Sequence, residues 1–261
     1  MNHTAVQPAS APLYWIIRGV FIESFRRREF SVILLFMGLF VLAAIVNRIV
    51  GVESDAAAAF IFNFGLSLSW ILSAIATVIV AARQFPDELE TRSLYPILAK
   101  PLARSQYVLG KWLACWFAGI AALTLLNLIA LVTVPWPRAM SLGLLLQTFL
   151  LQVISMGAVT AISIALSIRL PKAMTIVITL LLVFAGGPLI GLLNSYFTSA
   201  PAIRWVTAYI PDFARLDLIN SLTYGGTPLP MIHLLAHTVY GLIIALFAIS
   251  IGMLMLERKP L

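Results

Sequence analysis

The sequence predicts an all-α membrane protein with six transmembrane helices, and three observations carry that reading. The chain is 61% hydrophobic and only 10% charged, with a mean hydropathy of +1.01, whereas soluble domains carry about 25% charged residues. Apolar stretches of the roughly 20 residues needed to cross a hydrocarbon core occur six times, at 31–50, 57–82, 112–134, 142–168, 173–193 and 233–256. With the N-terminus placed in the cytoplasm, 13 of the 17 Lys and Arg residues fall on the inner side of these spans and 4 on the outer. That bias predicts an inner-membrane protein with both termini, and the polar segment between the second and third spans, facing the cytoplasm.

Taken in order, residues 1–12 form a polar, uncharged tail. No short apolar run with a small-residue cleavage site follows it, which argues against a removed signal peptide. In residues 13–29, Leu13, Tyr14, Ile16, Ile17, Val20, Phe21, Ser24 and Phe25 recur at helical spacing, with Arg18, Glu23 and Arg26–Arg28 on or beyond the other face. This predicts an amphipathic helix in the cytoplasmic interface. Six spans and their loops use the whole length as a single domain. The lone Cys115, at the start of the third span, has no partner for an internal disulfide.

No Asp, Glu, Lys or Arg lies well inside any span; Arg48 and Lys111 sit at ends, where they can snorkel. Ion-coupled transporters keep an ionisable residue at mid-depth, so this pattern argues against secondary transport. The spans carry hydroxyl and amide stripes instead. Ser69, Ser73 and Thr77 recur at i, i+4 in the second span, and Thr148, Gln152, Ser155, Ser163 and Ser167 stay near one face of the fourth. Such stripes act as hydrogen-bonding glue between helices, or they line a translocation path, for which Ser69, Ser73, Thr77, Gln152 and Ser155 are the candidates. In the fifth span, Gly186-Gly187-Pro188 and Gly191 predict a kink that packs closely on a neighbour; a moving gate is the other reading.

The outer segment, 194–232, is too apolar for a free loop and too broken for a span. Pro201 opens a helix whose Trp205 and Tyr209 suit the outer interface, and Tyr224-Gly225-Gly226-Thr227-Pro228 marks a turn. Short re-entrant or surface-lying helices are expected there. His233 and His237 share a helix face where the sixth span begins, but no third ligand is in view, so no metal is expected. The net charge of +7 fixes topology against anionic lipid, and nucleic acid is not an expected partner.

Between the second and third spans lies a polar island, Phe85–Lys111. Counting Arg83 just before it, it holds 8 of the 27 charged residues. Pro86 reads as a first helical position, with Asp87, Glu88 and Glu90 in the first turn complementing the helix dipole. Glu88 and Arg92 are spaced to pair. Pro96 ends or bends that helix, and Lys100-Pro101 starts a new direction. Leu94, Tyr95, Ile97 and Leu98 then form a short apolar face flanked by charge, suited to a groove on a soluble partner.

The run Glu90-x-x-Ser93-Leu94-Tyr95-Pro96-x-Leu98-x-Lys100-Pro101-x-x-Arg104, then Tyr107-x-Leu109-Gly110-Lys111, resembles the motif between the second and third helices of ABC-2 type transporter permeases. Pro211-Asp212-Phe213 is similar to a Pro-Asn-Phe often found in the outer segment of that family, and the whole layout is alike. Where common members have Gly-Thr, this chain has Arg92-Ser93. The resemblance implies the permease subunit of an ATP-driven exporter of a hydrophobic or lipid-like substrate. Two permease chains, identical or different, would work with two copies of a separate ABC ATPase. The loop 83–111 would contain the coupling helix, with Asp87, Glu88, Glu90, Thr91, Arg92, Leu94, Tyr95, Leu98, Lys100 and Arg104 at the ATPase. ATP and Mg would be bound by that partner. Gly110-Lys111 is followed by Trp112 and lacks the upstream Gly of a phosphate loop, so no cofactor and no catalytic residue is expected in this chain. Two alternatives stay open: a non-transporting membrane anchor or assembly factor that recruits an ATPase, and an intramembrane enzyme, for which the His233/His237 pair is the one candidate.

Overall fold

The structure, a computed structural model, describes residues 28–50, 55–90, 104–134, 141–196 and 210–258. Among these it is helical, without strands. Helices run over Arg28–Val50 (α1), Asp55–Ala82 (α2), Gln84–Glu90 (α3), Arg104–Thr133 (α4), Leu142–Ser167 (α5), Lys172–Tyr196 (α6), Ile219–Thr223 (α7) and Met231–Glu257 (α8), with a 3-10 turn at Phe213–Leu216. Four stretches, Ala57–Glu88, Ser105–Thr133, Leu142–Ser167 and Met231–Glu257, are long and apolar enough to cross a membrane; shorter apolar stretches, Leu34–Val46 and Lys172–Gly187, lie in α1 and α6. The tail at 1–12 and all but the end of the interfacial helix expected at 13–29 lie outside the described residues, as do Pro201, Trp205 and Tyr209.

Helix α5 is the centre of the molecule. It packs against α2, α3, α4, α6, α7, the 3-10 turn and, most extensively, α8. From Leu151 to Ala165 nearly every residue is buried, the all-round burial that an apolar helix without a polar face adopts. The hydroxyl stripe expected on one face of this helix is therefore not a face at all: Thr148, Ser155, Ser163 and Ser167 are enclosed, and so are the apolar residues between them. Ser141 caps its start, the side chain accepting from Leu144 N–H at 3.2 Å.

Helix α8 meets α5 through small residues. Gly241, Ala245, Ala248 and Gly252 are buried on one side, while Leu235, Val239, Ile243, Leu246 and Phe247 are exposed on the other. Small residues let two helix backbones approach, which is what drives association where lipid removes the hydrophobic effect. A Cβ added at Gly241 would lie 2.5 Å from Ile154 Cγ2, and one at Gly252 would lie 3.3 Å from Ala165 Cα. Helices α4 and α5 are pinned by two indoles: Trp112 Nε1 donates to the Gly157 carbonyl at 3.0 Å, and Trp116 Nε1 to the Val153 carbonyl at 2.9 Å. The two rings stack at 5.2 Å.

In the described part of the segment between α6 and α8, residues 210–230, a 3-10 turn and the short helix α7 occur, where the broken apolar pattern predicts short helices. Asp212 caps the 3-10 turn by accepting from Ala214 N–H at 3.1 Å, and Phe213, Leu216, Ile219 and Leu222 are buried on the bundle. The turn at Tyr224–Gly226 needs its glycine: Gly225 has φ 76°, a conformation open to Gly at no steric cost. Helix α6 runs unbroken past Gly186-Gly187, where the sequence predicts a kink. The close approach does occur there. A Cβ at Gly186 would lie 2.9 Å from the Pro211 carbonyl oxygen and one at Gly187 would lie 3.1 Å from Asp212 Oδ1.

Gln147 of α5 fastens the linker before α8, accepting from Leu229 N–H at 2.9 Å and donating to Leu229 C=O at 3.1 Å. Replacing it with Leu removes both bonds. Gln147→Leu is expected to speed hydrogen exchange at the Leu229 amide about tenfold, the equivalent of about 1.4 kcal/mol, with α5 unchanged; equal exchange would show that the linker holds without it.

Candidate functional site

The polar island begins differently from its sequence expectation. Pro86 is the third residue of a short helix rather than its first: α3 starts at Gln84, and Asp87 N–H bonds the Arg83 carbonyl at 3.1 Å in its first turn. Having no N–H, Pro86 cannot serve the Ala82 carbonyl four residues back, and its ring crowds that carbonyl. Helix α2 ends at Ala82, the chain turns at Arg83 and resumes as α3 at Gln84.

Helix α4 also departs from expectation, beginning at Arg104 rather than near Trp112. The first two turns, over Arg104–Lys111, are too polar for a hydropathy count but helical by hydrogen bonding. They place Tyr107 and Lys111 one turn apart on the same face. Lys111 therefore does not snorkel to water. Its Nζ lies 2.6 Å from Glu88 Oε1, with side chains only 9% and 17% exposed, and donates to Gln84 Oε1 at 2.8 Å. Tyr107 Oη donates to Glu88 Oε2 at 2.6 Å. Gln84 Nε2 in turn donates to the Val80 carbonyl at 3.1 Å. Phe85 is buried with its ring edge-on to Tyr107, 6.2 Å between centroids. Arg83 is buried beside this group.

Together Gln84, Glu88, Tyr107 and Lys111 form a clamp that fixes α3 to the root of α4. A buried carboxylate is tolerated because both of its oxygens are engaged, one by an ammonium and one by a hydroxyl. Of the expected partner-contacting residues, Glu88 is turned into this clamp, Asp87 is half-buried, and Glu90 is exposed at the end of α3. Arg104 is the first residue of α4. Thr91, Arg92, Leu94, Tyr95, Leu98 and Lys100 lie outside the described residues, and so does the expected Glu88–Arg92 pair.

The stripe on α2 is buried against α4. Ser69 Oγ donates to its own helix at Gly65 O (2.8 Å) and across to Leu126 O (3.2 Å); Ser73 donates to Ser69 O at 2.7 Å. Thr77 packs where Gly119 leaves room, since a Cβ there would lie 2.6 Å from Thr77 Oγ1. Ser69 and Thr77 thus join α2 to α4, while the bond of Ser73 stays within α2. Gln152 is different. It lines a cleft of about 210 Å³ with Asn127, Thr124 and Thr148 and accepts from Asn127 Nδ2 at 2.9 Å. Asn127, a residue that the sequence reading passes over, is its partner from α4. Ser155 is fully buried.

At the other end of the bundle, His233 is exposed and His237 half-buried, and no group of three metal-ligating side chains occurs among the described residues. The Asp212 N–H donates to Tyr240 Oη at 2.8 Å, and Arg215 pairs with Asp212 at 3.2 Å over the Tyr240 ring. Compared with models of protein families and with curated proteins, the chain matches none.

Proposed function

We propose that the chain is the permease subunit of an ATP-driven transporter of the ABC-2 type, exporting a hydrophobic or lipid-like substrate. On this reading α1 and α6 join the four long apolar helices as spans, giving six. Both termini and the 83–111 loop face the cytoplasm, and the segment 194–232 lies at the outer side. Two permease chains and two copies of a separate ABC ATPase form the working unit, with ATP and Mg held by the ATPase.

The observation that best supports the reading is the clamp. A loop that receives a mechanical push must be stiff where it meets the bundle, and α3 is joined to α2 through the Arg83 turn and tied to α4 by Glu88, Tyr107 and Lys111. A push on α3 then moves the roots of α2 and α4 as one body. A passive linker has no need of a buried ion pair, whose desolvation is expensive. The absence of ionisable residues deep within the spans fits a drive that comes from outside the bilayer.

The test uses the chain with its ATPase in vesicles, measuring ATP-dependent movement of a lipid-like cargo. Glu90 is exposed, so Glu90→Lys should leave thermal stability unchanged. It is expected to cut coupled transport at least tenfold. Normal transport in that variant would sink the role given to the loop. ATP hydrolysis stimulated by the chain with no cargo movement would favour a membrane anchor that recruits the ATPase.

A further inference from the structure

The cleft between α4 and α5 contains an unmet hydrogen-bonding demand. Asn127 and Gln152 are 6% and 2% exposed and bond each other once, Nδ2 to Oε1 at 2.9 Å. That leaves Asn127 Oδ1 without a donor and Gln152 Nε2 without an acceptor, both buried. Turning both amides over changes which residue offers which group, but one acceptor and one donor remain. Thr124 of α4 and Thr148 of α5, which also line the cleft, give their protons to their own helices at Ile120 O (2.7 Å) and Leu144 O (2.8 Å), so they offer only lone pairs. The rest of the lining is apolar and carries no charge. Its mouth lies between Leu128 and Leu146, which are 53% and 62% exposed on the apolar surface.

We infer that this cleft is a binding site for a neutral, membrane-dissolved amphiphile with a hydroxyl group on an apolar body. One hydroxyl offers a donor and two lone pairs, so a single group can give its proton to one amide and accept from the other. Uncharged walls exclude a carboxylate or an ammonium, whose burial without a counter-charge is prohibitive. An alkane of the same size fills the space but leaves both amides unmet, which is the basis on which polar sites reject an analogue lacking its hydroxyl. The site deepens the transport reading by naming a chemistry for the cargo, yet binding to it requires no ATPase.

The experiment uses the full chain in phosphatidylcholine nanodiscs. The probe is hexadecan-1-ol carrying a mid-chain diazirine, and the control is hexadecane with the same diazirine. Photolabelling of peptides from α4 and α5 is expected to favour the alcohol at least tenfold. Asn127→Leu/Gln152→Leu removes both partners together, a change that folding tolerates, and should bring the alcohol down to the level of the alkane. Leu128→Trp, at the exposed mouth, should reduce labelling by the alcohol while leaving the amide pair intact. Equal labelling by the two probes, or labelling indifferent to both variants, would overturn the site and leave the amide pair as helix glue. Selective labelling in a chain that moves no cargo would keep the site and retire the transport reading instead.

Discussion

Lys111→Met should destabilise the chain by about 3–5 kcal/mol, the range for removing one partner of a buried ion pair. The Glu88 carboxylate would keep Tyr107 at 2.6 Å but lose the ammonium at 2.6 Å, and Gln84 Oε1 would lose its donor. A long apolar side chain of similar volume fills the space, so the loss is electrostatic rather than a cavity. Glu88→Met together with Lys111→Met should recover most of the stability, because replacing a buried pair by apolar groups is often close to neutral. Thermal unfolding of the four members of this cycle in detergent gives the coupling directly. If the single variant unfolds with the parent, the clamp is an ornament of the surface. On the transport reading, the double variant should fold yet transmit poorly, since it keeps the packing but loses the directional bonds.

Gly241→Leu is expected to cost about 3 kcal/mol, at the upper end of overpacking penalties, and to loosen α8 from α5. Even the first added carbon would meet Ile154 Cγ2, a branched methyl held close to its own backbone, at 2.5 Å, and Leu216 Cδ1 at 3.3 Å. Leu246→Ala, on the exposed side of α8, serves as control and should change stability by less than about 0.5 kcal/mol. Trimming Ile154 to Ala in the Gly241→Ala background should return part of the loss, since the two side chains compete for one volume. Equal unfolding of Gly241→Leu and the control would mean that α8 is not held through its small residues.

Much of the architecture was legible from residue order alone, because apolar runs of bilayer length announce themselves. The second and fourth expected spans, 57–82 and 142–168, agree with α2 and α5 to within two residues. Hydropathy marks where lipid begins, however, and helix ends are set by hydrogen bonds. That is why the third span was expected near Trp112 while α4 begins at Arg104. Pro86 shows the same limit on a smaller scale: it lies in the first turn of α3, where a proline is tolerated, but the helix begins two residues before it, at Gln84. The clamp joins Glu88 to residues 19 and 23 positions later across a segment without simple periodicity, so spacing could not reveal it. Two signals were present and unread. Gly241, Ala245, Ala248 and Gly252 repeat at helical intervals, and Asn127 is an amide deep within a span, as Gln152 is. The short helical pieces after α6 were anticipated from their broken apolar pattern, but the role of Gly186-Gly187 in seating Pro211 and Asp212 depends on the fold.

The central place of α5 has a consequence for how the protein is made. Its most extensive neighbour, α8, is made only after residues 168–230 have followed it, so until then the flank of α5 at Ile154 and Ala165, which Gly241 and Gly252 come to cover, faces lipid or fleeting partners. A nascent chain halted before Met231 is therefore a substrate for membrane quality control, because its central helix still lacks its largest contact.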